Sequence, residues 1–425
     1  MACVTKGGAH VRRERGPEHV VFVCGTYYPR VTGVGVVVDG WARRLIGRGI
    51  GATVVAPAHP RRSYYPPHRP PEGLEVVRLP SRPVPFAPGL RSMRPVGPHW
   101  NSLVARLKGK RVVVHGQDVL NAGSCALKLG ARLMAPVVLH IHSPVFGREV
   151  EEWLPAAFPA FAVPAIHQAA RRIAAANCAA ADAVVAVTTF VAGLFGRKGI
   201  STCAGGRRPI QVLSCGVEAP DHDTLVPNVR GEYGIPSTAP LLLYVGRLDP
   251  DKGVMDVLEA LVILRRRVPS VRLLVVGGGP LEPRYRRSAV RMGLGNSVQY
   301  AGWCQHQEVW SYYRQADALI TGNADEAQGL MALEAQQCRL PVVGYRTGGI
   351  GLMVKDGVTG VLAEPEPAAL AEAAVPVCTN PELRAHLGNA GPSNAARFSA
   401  DANSAAVLDI YREVLLRARL AKSEP

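Results

Sequence analysis

The 425-residue sequence has no long apolar run and no paired cysteines. No apolar stretch approaches the roughly 20 residues that a membrane-spanning helix needs. The first apolar run, His19 to Cys24, is too short for a secretion signal and is typical of a β-strand. The nine cysteines occur singly, without zinc-ligand spacing, which favours a reducing compartment over a disulfide framework. We therefore predict a cytoplasmic protein, with peripheral contact to an anionic membrane as an open alternative.

Aromatic residues are scarce, at 6%, and acidic residues are outnumbered by basic ones. The 49 Lys and Arg residues against 33 Asp and Glu residues give a formal net charge of +16. Such a charge suits nucleic acid, an anionic membrane or an anionic substrate. The sequence has no aromatic residues interleaved with basic ones and no recognition-helix or zinc-finger pattern, so we predict no nucleic-acid partner.

Short β-branched runs alternate with Ala- and Leu-rich amphipathic stretches, which predicts an α/β fold with parallel sheets. The pattern occurs twice, and the length suits two domains. The predicted strands are 20–24, 52–56, 74–79, 111–115, 136–142, 183–187, 210–213, 241–245, 271–276, 297–300, 318–321, 341–343 and 360–362. The predicted organisation is an N-terminal domain over 19–216, a linker over 217–239, a C-terminal domain over 240–400, and a closing helix over 401–420 that packs back towards the N-terminal domain.

Two segments interrupt this alternation. Pro57 to Trp100 is rich in proline and arginine, and it is either a surface loop or an arm that faces an acceptor or a lipid. Ser143 to Ala181 carries several large apolar residues, which fit an apolar acceptor surface and a helical hairpin equally well.

Two glutamates separated by seven residues, Glu326 and Glu334, mark the most informative segment. A helix that begins at Gly329 would place free backbone amides beside one carboxylate, with the second carboxylate a little more than one turn further on. The amides and the helix dipole suit a diphosphate. The carboxylate of Glu334 suits the two hydroxyls of a ribose, and that of Glu326 suits hydroxyls of a sugar. The segment therefore predicts a site for a nucleotide sugar.

Three further elements point to the same ligand. Arg247 and Lys252 follow a predicted strand and a glycine turn, and two cations at the end of a strand predict an anion site. A glycine turn with Gly33 and Gly35 follows the first strand and lets the backbone approach a ligand closely. His142 ends another strand, where a side chain faces the ligand crevice of a doubly wound sheet.

Together these elements resemble the retaining family 4 glycosyltransferases of the GT-B fold, in which two Rossmann-like doubly wound domains face each other across a cleft. The resemblance covers roughly residues 19 to 420. It rests on Gly246-Arg247-Leu248 with Lys252-Gly253, and on the paired-glutamate segment that continues to Pro341. It implies that the N-terminal domain binds the acceptor and that the C-terminal domain binds the nucleotide sugar.

The resemblance also implies the roles of individual residues. Arg247 and Lys252 would contact the diphosphate, Glu334 the ribose, and Glu326 and His142 the donor sugar. The implied donor-binding residues are Gly33, Gly35, Arg247, Lys252, Glu326, Gly329, Leu330 and Glu334. The implied catalytic residues are Arg247, Lys252, His142 and Glu326.

The implied activity is retaining hexosyl transfer from a nucleotide-diphosphate sugar, commonly UDP-linked, to a hydroxyl group. The acceptor is either a small metabolite, such as a cyclitol, or a membrane lipid. A non-catalytic module that binds sugar nucleotides is the alternative. No metal or other cofactor is expected, because Asp249-Pro250-Asp251 looks like a DxD metal motif but lies inside the Arg-Lys motif, whose cations already oppose the diphosphate charge.

Three positions depart from the family pattern. Ala327-Gln328-Gly329 stands where Gly-Phe-Gly is common, Leu352 where an acidic residue is frequent, and Cys215 where Asn or Thr is usual. The first departure predicts an unusual donor-sugar pocket, and neither it nor Leu352 removes the diphosphate or ribose contacts.

Overall fold

A computed structural model describes residues 16–28, 32–58, 70–83, 91–143, 160–218, 228–421 and 423. The described chain contains two large parallel β-sheets and the helices that connect their strands, which confirms the predicted α/β fold.

The first sheet contains seven strands in the described part of the chain. The N-terminal strands are β1 His19–Val23, β2 Gly51–Pro57, β3 Glu75–Leu79, β4 Ser81–Pro83, β5 Arg91–Met93, β6 Val112–Gly116, β7 Val137–Ile141, β8 Ala183–Ala186, β9 Thr202–Cys203, β10 Arg208–Pro209 and β11 Gln211–Val212. The order in the sheet is β11-β8-β7-β6-β1-β2-β3, with every pair parallel. The short β4–β5 and β9–β10 pairs are antiparallel and separate. Successive strands are therefore added in one direction from β1 to β3 and in the opposite direction from β6 onwards, so the strand order reverses between β1 and β6.

Five helices accompany this sheet in the described residues: α1 Gly33–Ile46, α2 Pro98–Leu107, α3 Asn121–Leu133, α4 Val163–Ala180 and α5 Thr189–Arg197. The central strands β6, β7 and β8 are buried along their whole length. Burial on both faces explains why these strands are mostly apolar and lack a regular polar alternation, with His115 and His140 as their only polar side chains.

The second sheet has six parallel strands in the order β14-β13-β12-β15-β16-β17. These strands are β12 Leu241–Val245, β13 Arg272–Val276, β14 Val298–Gly302, β15 Ala318–Ile320, β16 Val342–Tyr345 and β17 Gly360–Ala363. The C-terminal helices are α6 Val229–Glu232, α7 Val254–Leu264, α8 Glu282–Arg291, α9 His306–Gln315, α10 Leu330–Gln337, α11 Ile350–Met353, α12 Pro367–Thr379, α13 Pro381–Ala395 and α14 Ala400–Leu420. Short 3-10 helices occupy Ala160–Ala162, Pro250–Lys252 and Ala396–Phe398. In this sheet the strand order reverses between β12 and β15.

Helix α14 packs against the N-terminal sheet. Its Tyr411 is fully buried in the core of that sheet, and the phenol lies 2.7 Å from Nδ1 of His115 on β6. Asn403, near the start of α14, accepts a hydrogen bond from the Trp41 indole of α1 at 2.6 Å. The last helix thus contributes to the core of the first domain.

The two irregular segments are partly described. The 57–100 stretch contains β4, β5 and the start of α2 in addition to the predicted strand, while 59–69 and 84–90 lie outside the described residues. Of the 143–181 stretch, residues 144–159 lie outside, and the remainder forms a 3-10 turn and α4. Phe161 in that turn is 86% exposed. Among the described residues, no helix combines the length and the apolar character that crossing a membrane requires.

Candidate functional site

The reversal point of the second sheet brings together three predicted site residues. Arg247 and Lys252 follow β12, and Glu326 follows its neighbour β15. Ligands of doubly wound sheets bind in the crevice beyond the carboxyl ends of two such strands. The ammonium of Lys252 lies 3.6 Å from Oε2 of Glu326, so the segments after the two strands do meet in this crevice.

Two aspartates hold the cations in place. Arg247 forms an ion pair with the buried carboxylate of Asp249, and Lys252 Nζ lies 2.9 Å from Oδ2 of Asp251. Burial alone would raise the pKa of Asp251, but the charges of Lys252 and Arg247 lower it below its ordinary value. In the sequence, Asp249 and Asp251 only look like a DxD metal motif. The structure instead makes them the carboxylates that orient the two predicted anion-binding side chains.

The amino end of α10 lies directly after Glu326. Gly329 has φ 89°, and a Cβ atom there would lie 2.6 Å from Cδ1 of Ile350, so glycine suits this position on both grounds. Helix α10 begins at Leu330, and no side chain in the described ranges caps it. The carboxylate of Glu326 accepts a hydrogen bond from the Asn323 amide at 2.8 Å. The helix start and the predicted sugar-binding carboxylate therefore lie within one short segment.

Glu334 has partners that the sequence did not indicate. Its Oε1 lies 2.8 Å from Nε2 of His306, and its Oε2 accepts a hydrogen bond of 2.8 Å from the phenol of Tyr313. Burial alone would raise the pKa of Glu334, yet His306 and Tyr313 lower it below its ordinary value. Burial alone would lower the pKa of His306, yet the carboxylate of Glu334 raises it. A ribose hydroxyl at Glu334 would have to share an oxygen that already accepts a hydrogen bond.

One sequence signal for His306 did exist. It is the first residue of α9, four residues beyond the end of β14, and residues that follow parallel strands face the crevice. Tyr313 follows two turns later on the same helix and carries no comparable signal, because a buried tyrosine is usually a core residue.

The N-terminal glycine turn faces α10. A Cβ atom on Gly33 would lie 3.6 Å from Cδ1 of Leu330, so these two predicted site residues approach each other across the cleft. Thr32 caps α1 by accepting a hydrogen bond from the amide of Gly35 at 3.2 Å. The amide of Gly35 is therefore used within the helix start. Residues 29–31 of the predicted turn lie outside the described part.

His142 lies just beyond β7 and has a protein partner for each ring nitrogen. Nε2 lies 2.9 Å from Oε1 of Gln117, and Nδ1 lies 3.7 Å from Sγ of Cys215. The Gln117 amide nitrogen donates to the backbone oxygen of His115 at 3.3 Å, which turns its oxygen towards His142. Burial lowers the pKa of His142 to about 3 and raises that of Cys215 to about 12. The ring is therefore neutral, its Nε2–H donates to Gln117, and its Nδ1 accepts the weak hydrogen bond of the thiol.

His140, His142 and Cys215 place their nitrogen and sulfur atoms within 4.8 Å of one another, which is close enough for a shared metal ion. The two imidazoles, however, are stacked with their centres 4.4 Å apart and their planes at 21°. Lone pairs of ring nitrogens lie in the ring plane, so those of two stacked rings run side by side and do not converge on one point. The stacked arrangement, which also includes Trp41 and His115, is that of an aromatic core.

Family models match both halves of the chain. Residues 31–219 match Glycosyltransferase Family 4, and residues 226–394 match Glycosyl transferases group 1. Residues 220–225, in the predicted linker, separate the two matches.

Curated relatives are similar over shorter stretches. A D-inositol 3-phosphate glycosyltransferase of Corynebacterium jeikeium is 34% identical over 227 residues, which is 50% of this chain and 53% of that protein. An alpha-D-kanosaminyltransferase of Streptomyces kanamyceticus is 30% identical over 188 residues, or 44% of this chain and 48% of the relative. The chain thus spans about half the length of the curated relatives it matches.

A solved structure extends the likeness of fold to nearly the whole chain. Anabaena Alr3699/HepE in complex with UDP-glucose superposes with a TM-score of 0.71 at 18% identity, covering 92% of this chain and 98% of that one. Two doubly wound domains, matched in turn by the two family models and joined across a cleft, confirm the resemblance seen in the sequence. The chain belongs to the family 4 glycosyltransferases and has the GT-B fold.

Proposed function

We propose that this chain transfers a hexosyl unit, with retention of configuration, from a UDP-linked sugar to a hydroxyl of a small cyclic polyol or aminocyclitol. The observation that carries the proposal is the meeting of Lys252, Arg247 and Glu326 at the reversal point of the second sheet, beside the amino end of α10. Cations and a helix start suit a diphosphate, and the adjoining carboxylate suits sugar hydroxyls. The structural neighbour holds UDP-glucose, and the relatives are named for inositol phosphate and kanosaminyl transfer.

In the proposed reaction the bond between the anomeric carbon and the diphosphate oxygen breaks, and the bond to the acceptor oxygen forms on the same face. The acceptor proton passes to the departing diphosphate. Arg247 and Lys252 stabilise the charge that develops on the leaving group. Glu326 and His142 orient the sugar ring, and domain closure excludes water. Gln117 holds Nε2 of His142 and the thiol of Cys215 contacts Nδ1, so the ring has a fixed orientation at the place proposed for the sugar.

The proposed reaction uses no metal ion, because fixed cations and a helix dipole oppose the diphosphate charge. We expect the turnover rate to be the same with and without a chelator. A rate that falls in the chelator and returns with Mg²⁺ would contradict this part of the proposal.

Thermal-shift measurements with a panel of nucleotide sugars, followed by mass spectrometry with an acceptor panel, test the main proposal. We expect stabilisation by UDP and by one UDP-sugar, and a glycosylated product from inositol phosphates or aminocyclitols. Product from a diacylglycerol or phospholipid, together with flotation on anionic vesicles, would support the lipid alternative instead. Binding of UDP-sugars with neither transfer nor slow hydrolysis would indicate a non-catalytic binding module.

A further inference from the structure

The loop between Glu326 and Gly329 belongs to the C-terminal domain but is seated in the N-terminal one. The backbone oxygen of Ala327 accepts a buried hydrogen bond of 2.8 Å from the hydroxyl of Thr188, the N-cap of α5. The Ala327 side chain packs in the same buried cluster as the strands of the first sheet. The loop between Glu326 and Gly329 therefore reaches across the cleft and packs against the N-terminal domain.

Gln328 completes this contact with both atoms of its amide. Its Oε1 accepts from the backbone N–H of Cys215 at 2.9 Å, and its Nε2 donates to the backbone oxygen of Cys215 at 2.7 Å. The side chain is 4% exposed, so all four polar atoms are shielded from water. The amide thus pairs with the backbone of Cys215, near the end of the N-terminal domain, as a neighbouring strand would, and separating the domains would break both hydrogen bonds.

Cys215 in turn contacts the predicted sugar-binding residue His142. With its backbone held by Gln328, Cys215 directs its thiol to Nδ1 of His142, whose Nε2 is held by Gln117. The loop is also held by the C-terminal domain, where the backbone amide of Gly349 donates to the backbone oxygen of Glu326 at 2.5 Å. A continuous series of contacts therefore links the loop that carries Glu326, through Gln328 and Cys215, to His142.

We propose that Gln328 is a positioning residue that couples closure of the two domains to the relative placement of Glu326 and His142 around the donor sugar. This role rests on the proposed function. Both partners stand at positions where the sequence departs from the family pattern, Gln328 in place of phenylalanine and Cys215 in place of Asn or Thr. A phenylalanine side chain cannot form these two hydrogen bonds, so the coupling depends on the glutamine at position 328.

The test compares Gln328→Leu, which removes both hydrogen bonds at similar size, with Gln328→Glu, which keeps the acceptor and loses the donor. Gln336→Leu is the matched control, because Gln336 is also buried and its hydrogen-bond partners in the described residues, Ala332, Met353 and Asn394, all belong to the C-terminal domain. Amide hydrogen exchange at Cys215 in the full chain reports the pairing. We expect exchange to rise on the order of tenfold in Gln328→Leu, less in Gln328→Glu, and not in the control.

Two further readouts separate positioning from stability. In the ¹⁵N spectrum of the His142 ring, we expect Gln328→Leu to alter the Nδ1 signal and the control to leave it unchanged. With UDP-glucose as the donor probe, we expect the kcat of transfer to fall about tenfold to a hundredfold with little change in KM, and the share of donor lost to hydrolysis to rise.

The proposal is overturned if Cys215 exchange and the His142 spectrum are the same in Gln328→Leu as in the parent chain. It is also overturned if Gln336→Leu changes the partition between transfer and hydrolysis to the same extent. A parent chain that neither binds UDP nor consumes any UDP-sugar would contradict the proposed function. In that case the exchange and ¹⁵N measurements still decide whether Gln328 couples the loop to His142.

Discussion

Replacement of Glu334 by glutamine tests whether the buried acid is held by His306 and Tyr313 as the structure shows. The carboxylate accepts one hydrogen bond from each, both at 2.8 Å, and its side chain is only 12% exposed. The glutamine amide keeps one oxygen that can accept a hydrogen bond, but it places N–H groups where the second carboxylate oxygen accepted from His306 or Tyr313. Hydrogen bonds to a charged group are worth about 1.5–3 kcal/mol and neutral ones about 1 kcal/mol. We therefore expect Glu334→Gln to lower the free energy of unfolding of the C-terminal domain by about 2–4 kcal/mol.

The loss of unfolding free energy in Glu334→Gln should depend on pH, and the pKa shifts of His306 and Glu334 determine in which direction. The folded pKa of His306 is raised above its ordinary 6.5, so its stabilisation is complete below pH 6.5 and is lost as the pH rises through the folded value. The folded pKa of Glu334 is lowered below its ordinary 4.5, so its stabilisation is complete above pH 4.5 and is lost as the pH falls through the folded value. The difference between parent and variant should be greatest between these two ordinary pKa values.

Urea unfolding at several pH values from 4 to 9 measures this difference. Glu372→Gln is the control, because its ion pair with Arg267 lies on the surface of the same domain and should contribute no more than about 0.5 kcal/mol. The reasoning is refuted if Glu334→Gln is no less stable than the control, or if its loss of stability is the same at pH 5.5 and pH 9.

Three other substitutions, one of them with a matched control, test the anion site, the close backbone packing at Gly253 and the packing of the last helix. Lys252→Ala should lower kcat on the order of a hundredfold or more, with a smaller change in KM, because the charge acts mainly on the leaving group; equal kcat values would refute this role. Gly253→Ala should cost more than about 2 kcal/mol in thermal unfolding, since φ is 65° and a Cβ atom would lie 2.2 Å from neighbouring backbone. Gly234→Ala, with φ 61° and open space, should cost only the backbone strain of about 1 kcal/mol, and equal losses would contradict the steric account. Tyr411→Phe should cost about 1–2 kcal/mol in urea unfolding because it takes from His115 its hydrogen-bond partner, and an unchanged midpoint would contradict that contact.

Most strands of the two sheets were predictable from the sequence because strands buried on both faces appear as continuous β-branched runs. The β4–β5 and β9–β10 pairs were not, since segments of two or three residues have no measurable periodicity. The start of α10 was also predictable, because Gly329 adopts a φ of 89° that glycine favours and stands directly before a helical run.

The approach of Lys252 to Glu326 at one edge of the second sheet was predictable from the sequence, whereas the partners that hold the cations were not. The charges of Arg247, Lys252 and Glu326 and their positions after strands indicated an anion site with a sugar-binding acid. The sequence did not indicate that Asp249 orients Arg247, since an aspartate beside an arginine is commonly just a solvated neighbour. The roles in catalysis of these residues and of His142 stay predictions that the substitutions above test.

By itself the sequence determined the order of strands and helices, the two glycine turns and the types of charge available at the ends of β12 and β15. These properties depend on residues a few positions apart. Only the tertiary structure decided which groups meet: Glu334 with Tyr313 and His306, which are 21 and 28 residues away, and Gln328 with Cys215, 113 residues away. A buried polar group takes the partner that the packed interior places within hydrogen-bond distance, and that partner is decided by packing within and between the two domains and not by the local pattern.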